Sequence, residues 1–201
     1  MHTPGYVSNK EIALCVVYAH AMLIQPSIVL LPDAKRASLV AAMVRPLADA
    51  IVLGDAAKQA HWMINGQNFG EVHELFDSIA TFLRSAADTL AERARILGAT
   101  VQGTAESSAK LSALPVWPEA AIDSGELLFA MAVRLAVFRS SVNVARRAVE
   151  SVGEQDTFDD LVQISKGASK LGWFVLAHLP DEAKARAMNE AEAVVKVITS
   201  A

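Results

Sequence analysis

The chain has 201 residues, of which 53% are hydrophobic and 20% charged, with a formal net charge of -4. That length suits one domain that buries about 70% of its unfolded surface. The only cysteine, Cys15, excludes an intrachain disulfide framework and a Cys-x-x-Cys zinc motif, which fits a reducing cytoplasm.

Sparse Gly and Pro, alanine-rich segments and few alternating β-branched runs point to an all-α fold. The stretch from Ile12 to Leu31 is apolar, but His20, Gln25, Pro26 and Ser27 interrupt it, so no membrane span is expected. Ala19-His20-Ala21 mimics a signal-peptidase site, yet Lys10 is the only basic residue before the apolar run and Glu11 follows it. Residues 1–32 are therefore read as an apolar N-terminal extension of open role.

A first helix is expected over 34–64, with Leu39, Met43, Leu47 and Ile51 at helical spacing; Pro46 should kink it or mark a restart. A second runs from about 68 to 97, with Asn68 as N-cap and Gly98 as the C′ residue. Residues 99–121 read as a long connection with one short helix near 104–111. A third long helix starts near Asp123, with Glu126 in capping-box position, and ends before Gly153. A fourth spans about 157–178. Pro180 opens a fifth, whose Met188, Ala191, Val195 and Ile198 form a stripe for docking on the bundle. Four long antiparallel helices with a long connection between the second and third form a ferritin-like four-helix bundle, with an extra C-terminal helix over 180–201.

Chemistry concentrates between residues 61 and 92. His61, His73, Asp77, Asp88 and Glu92 follow one another at spacings of 12, 4, 11 and 4. On a helix that turns roughly 100° per residue, His73, Asp77, Asp88 and Glu92 fall within an arc of about 100°. Eleven residues at about 1.5 Å rise nevertheless separate Asp77 from Asp88 by roughly 16 Å, while a ligand must lie about 2.0–2.3 Å from its ion. One helix cannot close such a site. An antiparallel copy across a two-fold axis would bring its Asp88 and Glu92 beside His73 and Asp77, making two identical intersubunit sites. Imidazole with carboxylate suits Fe²⁺ or Zn²⁺ better than Mg²⁺ or Cu⁺. The competing reading is hydrogen-bonded interface histidines and a solvated acidic helix face. An intrabundle di-iron site would need Glu-x-x-His pairs on two helices, and the chain has none.

The run K-x-x-HW-x-x-x-G-x-NF-x-x-x-H-x-x-FD, continued by D-x-x-AER-x-x-x-LG, resembles the Dps family (DNA protection during starvation) of ferritin-like mini-ferritins. GTAESSAKLSALPVWP at 103–118 and DTFDDLVQISKGASKLGWFVLAHL at 156–179 resemble that family's connection and fourth bundle helix. The resemblance spans 33–179 and implies a ferroxidase that oxidises paired Fe²⁺, preferentially with hydrogen peroxide, and stores Fe³⁺ in a hollow dodecamer built from two-fold dimers. It implies iron as Fe²⁺/Fe³⁺, two ions per intersubunit site, with Zn²⁺ as a surrogate. The five residues above become metal ligands and catalytic groups: Asp77 and Glu92 hold the first iron from opposite sides, His61 and His73 complete it, and Asp88 serves the second iron or its bridging water. Trp62 would buffer stray oxidising equivalents; simple interface packing explains it equally well. Met63 and Asn65 depart from the family's HWN-x-K/R-G run.

Glu154, Asp156, Asp159 and Asp160 stand where that family lines a three-fold iron-entry pore, although helix capping and a solvated first turn also explain acids there. The alternative function is a DNA-binding, nucleoid-compacting structural protein. The termini carry no lysine-rich arm, so direct DNA binding is expected to be weak or absent, in a cytoplasmic protein that could still associate with the nucleoid.

Overall fold

The computed structural model describes residues 25–66, 68–121 and 123–200. Cys15, the Ala19-His20-Ala21 motif and the apolar run up to residue 24 lie outside them. Six helices follow in order: α1 (Asp33–Met63), α2 (Phe69–Ile96), α3 (Ala105–Leu111), α4 (Ser124–Val152), α5 (Gln155–Ala177) and α6 (Asp181–Ser200). There is no strand among the described residues. The expected all-α bundle, the short helix in the connection and the extra C-terminal helix are all present.

The helix order around the bundle follows from packing. α1 packs on α2, α4 on α5, α1 on α4 and α2 on α5, so residues 97–123 must cross over to join two hairpins, as ferritin-like topology requires. Leu39, Met43, Leu53, Phe76, Ile79, Leu83, Leu90, Leu127, Met131 and Phe138 are fully buried and form one core. Truncating Phe76 or Phe138 to Ala would cost about 3–5 kcal/mol. α1 and α4 are each long and apolar enough to cross a membrane, but most of each apolar window is buried within the bundle (61% and 67%); these are core helices. α5 approaches α2 closely at Gly167, where a Cβ would collide with the Phe82 ring.

Most helix ends form where the sequence places them. Asp123 Oδ1 accepts from the backbone N–H of Gly125 (2.8 Å) and Glu126 (3.3 Å), and Gly153 ends α4 in the left-handed region at φ 81°. α2 ends in a Schellman turn: Gly98, at φ 88°, donates to Arg95 O (3.0 Å) and Ala99 donates to Ala94 O (3.0 Å). The remaining C-terminal carbonyls of α2 are bound from outside, Ile96 O by Ser27 Oγ (2.7 Å) and Leu97 O by Arg36 Nη1 (2.7 Å).

Three expectations need correction or narrowing. Asn68 occupies the N-cap of α2 but sits in the left-handed region (φ 60°) and makes no side-chain cap. Of the two outcomes expected at Pro46, a kink or a restart, the restart is excluded, because α1 runs unbroken from Asp33 to Met63 with Pro46 buried inside it. The fourth bundle helix starts two residues earlier than expected, since Glu154 caps it by accepting from the Thr157 N–H at 2.8 Å. α6 docks as anticipated, burying Ala187 and Ala191, with Met188, Val195 and Ile198 packed against the core.

Candidate metal centre

His61 lies in the last turn of α1 and His73 in the second turn of α2, so the hairpin between these helices brings the two rings face to face. They stack with centroids 3.7 Å apart at 25°, and Phe69 stacks on the outer face of His73 at 4.9 Å. Each ring hydrogen-bonds the other residue's backbone: His61 Nδ1 to His73 O at 3.0 Å, and His73 Nδ1 to His61 O at 2.9 Å. A carbonyl oxygen can only accept, so both Nδ1 atoms carry the proton and donate. In the neutral imidazole the Nε2 lone pair is then free on both rings. Backbone carbonyls commonly orient metal-binding imidazoles in this way.

Asp77 stands one turn beyond His73, half-exposed, and pairs with Lys58 Nζ. The hydrogen bond from the Lys58 ammonium holds the Asp77 carboxyl below the usual carboxylate range, with His61 and His73 adding smaller contributions. Lys58 is one helical turn before His61 on α1, which is why it reaches the same spot. The motif contained Lys58, but its spacing alone did not reveal the ion pair.

Asp88 and Glu92 are exposed near the other end of α2. No group of three or more His, Cys, Asp or Glu side chains converges on one point among the described residues. The structure therefore places His61, His73 and Asp77 at one end of the α1–α2 hairpin and leaves Asp88 and Glu92 apart from them. Trp62 is 68% exposed beside His61, so this chain's own packing does not account for it. Met63, where the family has Asn, is partly buried against the core, and Ser124 Oγ donates to Asn65 O (2.8 Å) to fasten the following loop to the start of α4.

The acids at the start of α5 are partly spoken for. Glu154 is the N-cap. Arg93, next to Glu92 on α2, grips Asp160 with Nη2 (2.8 Å) and Nε (2.9 Å) and reaches Asp156 at 3.7 Å. Gln155 Nε2 donates to Asp159 Oδ1 at 2.8 Å. Within one chain the Arg93 contacts link α2 to α5.

Sequence reading also missed Asp49. This carboxylate is fully buried in the middle of α1 and accepts from Ser112 Oγ (2.8 Å) and the Ala113 N–H (2.9 Å). Burial pushes its carboxyl above the usual range, against the smaller opposing effects of those donors and of Arg45. An acid amid Leu47, Ala48, Ala50 and Ile51 was the visible signal.

The family model for a ferritin-like domain matches residues 40–184. A DNA protection during starvation protein of Agrobacterium fabrum is 30% identical over 155 residues, covering 76% of this chain and 94% of that protein. The solved structure of DpsC from Streptomyces coelicolor superposes with a TM-score of 0.74 at 25% identity, over 77% of this chain and 91% of that one. The structure of Dps from Microbacterium arborescens in the high iron form gives 0.67 at 26% identity, over 72% and 93%. On these matches and on the bundle that carries them, the chain belongs to the Dps family of ferritin-like proteins.

Proposed function

We propose that this protein oxidises Fe²⁺ at intersubunit ferroxidase sites, preferentially with hydrogen peroxide, and stores the Fe³⁺ inside a hollow dodecamer in the cytoplasm. Iron storage and DNA protection are its role at family level. The observation that carries the finer reading is the reciprocal bonding of His61 and His73, which leaves two Nε2 lone pairs beside the Asp77 carboxylate. In each site His61, His73 and Asp77 of one chain act with Asp88 and Glu92 of a second. Fe²⁺ is the substrate, and Zn²⁺ a surrogate for the same nitrogen and oxygen donors. Two Fe²⁺ ions each give up one electron; peroxide takes both with two protons and its O–O bond breaks to two waters, so no hydroxyl radical is released. The relative from Microbacterium arborescens has been described in a high iron form, which supports an iron cargo here.

The acids of α5 would serve iron entry where three chains meet, with Asp156 and Asp159 less firmly engaged than Asp160. Trp62, exposed next to a ligand, suits a role as an electron donor to stray oxidant. The deciding experiment adds Fe²⁺ anaerobically, then peroxide, and follows ferric absorbance in wild type and Asp77→Ala. Wild-type rates in the variant would sink the site.

A structural DNA-compacting role is the second reading. Twelve chains at -4 each carry about -48, a charge that repels phosphates in the absence of a basic arm. A gel-shift of plasmid at near-physiological salt with iron excluded separates the two: no retardation is expected, and retardation that weakens with added salt would favour compaction.

A further inference from the structure

A recess lies away from the candidate metal centre, lined by residues 41–46 of α1, by α4 and by the end of α6. It encloses about 400 Å³, within the range of small-molecule sites. Its floor and walls are aliphatic, formed by Val44 of α1, Val137 and Val144 of α4, and Val195 and Ile198 of α6. Two cations line it, Arg45 from α1 and Arg147 from α4. Neither guanidinium has a hydrogen bond or ion pair among the described residues, whereas Arg36 and Lys58 of α1 and Arg134 and Arg139 of α4 each do.

The recess also has a buried polar end. Ser141 lines it, is only 8% exposed, and its Oγ lies against the Asp49 carboxyl without a hydrogen bond of good geometry. Behind it lies Asp49, close enough for Ser141 to influence its carboxyl, yet Asp49 Oδ2 is likewise without a hydrogen bond of good geometry. Buried polar atoms seldom lack a well-formed hydrogen bond in folded proteins, and here such a residue lines a recess that also carries two arginines without an ion pair.

We propose that the cleft between α1, α4 and α6 binds a small amphiphile with an anionic head, a free fatty carboxylate, its tail against the valines and Ile198 and its carboxylate between Arg45 and Arg147 within reach of the Ser141 hydroxyl. Arginine is suited to this recognition because its planar fork matches a carboxylate. The concave shape favours a single inserted chain over the flat face of a second protein. The site is separate from the iron ligands, so it stands or falls independently of the ferroxidase.

Titration calorimetry of the assembled full-length protein with decanoate tests this. Saturable binding is expected at one molecule per chain, below the concentration at which decanoate forms micelles. Arg45→Gln with Arg147→Gln should weaken it about tenfold, the loss expected for charge-assisted hydrogen bonds. Decanol, with the same tail and no charge, should bind about tenfold more weakly than decanoate. Val144→Trp, which fills the cleft from its open side, should abolish binding. Should that variant fail to fold, the arginine pair and the decanol comparison still decide. No saturable heat with decanoate, unchanged affinity in the arginine variant, decanol binding equal to decanoate, or binding only to anionic phospholipid vesicles would each overturn the proposal.

Discussion

Two single variants can test whether the metal centre is shared between chains, because each damages a different half of it. His73→Ala removes one Nε2 donor from the α1–α2 hairpin end, and Glu92→Ala removes a carboxylate near the far end of the same helix. The two positions are nineteen residues apart, which at about 1.5 Å per residue places them roughly 28 Å apart along α2. No single ion can touch both within one chain. If each site draws His73 from one chain and Glu92 from its partner, either variant alone loses every site. Refolded together in equal amounts, about half the dimers are mixed, and each mixed dimer holds one doubly broken site and one intact site. About a quarter of the wild-type ferric absorbance rate should therefore return when Fe²⁺ is added anaerobically and then peroxide. Mixed assembly is verified by native mass spectrometry. Zero recovery in verified mixed particles would refute the shared site, and full activity in either single variant would refute the ligand assignment.

Four other outcomes follow from particular contacts. Lys58→Gln should tighten Co²⁺ binding in a spectroscopic titration, because metal no longer displaces an ammonium from Asp77, and should return the Asp77 carboxyl toward its ordinary range; weaker binding would show Lys58 to be a supporting group. Asp49→Asn keeps an oxygen for Ser112 and Ala113 while removing the ionisable group. The wild-type carboxyl has its pKa raised on folding, so its contribution is fully present below the unfolded value, near 3.8, and is lost as pH rises through the folded one; the variant's melting temperature should gain on wild type with rising pH, and a constant difference would count against this. Replacing Asp156 and Asp159 with Asn should slow iron uptake at limiting iron and low salt, whereas Asp160→Asn should chiefly lower the melting temperature by freeing Arg93; unchanged uptake returns the acids to capping. Light scattering should give a particle of roughly 257 kDa from twelve chains of 21.4 kDa, and a monomer with full ferroxidase activity would contradict the assembly.

Much of the fold was readable because its signals are local. Asp123 before α4, Gly98 after α2 and Gly153 after α4 each act on the backbone within a few residues, and all three do what their chemistry dictates. Asn68 misled because the same residue type serves as a side-chain N-cap or takes the left-handed region, and the local sequence does not choose between them. At Pro46 the sequence left a kink and a restart open, and the helix continues through it because burial offsets the local cost. At the site, periodicity put the acids on one stripe of α2 but could not show the reciprocal His61–His73 bonds, which depend on the closeness of two helices. The carboxylate partners of Lys58 and Arg93 lie 19 and 67 residues away, beyond the reach of local spacing. Asp49 was the reverse case: its oddity was plain in the sequence, but its purpose depends on Ser112 and Ala113, two helices further along the chain.

The far end of α2 is held with unusual thoroughness. The Gly98 turn, Arg36 on Leu97, Ser27 on Ile96 and Arg95 Nη1 on Ala99 O at 2.6 Å occupy the terminus whose last turns bear Asp88 and Glu92. Helix ends ordinarily fray, and a carboxylate on a fraying turn samples many positions. A donor that must meet its ion across a symmetry axis has no covalent neighbour to correct it, and productive geometry tolerates only about 0.5 Å of error. In the shared site proposed above, the clamp would work as a manufacturing tolerance, letting two separately folded chains deliver matching halves to one ion without adjusting to each other first. Loosening it, as any side chain at Gly98 would by striking the Gln25 carbonyl, should show itself as chains that still fold and associate but whose paired sites no longer line up.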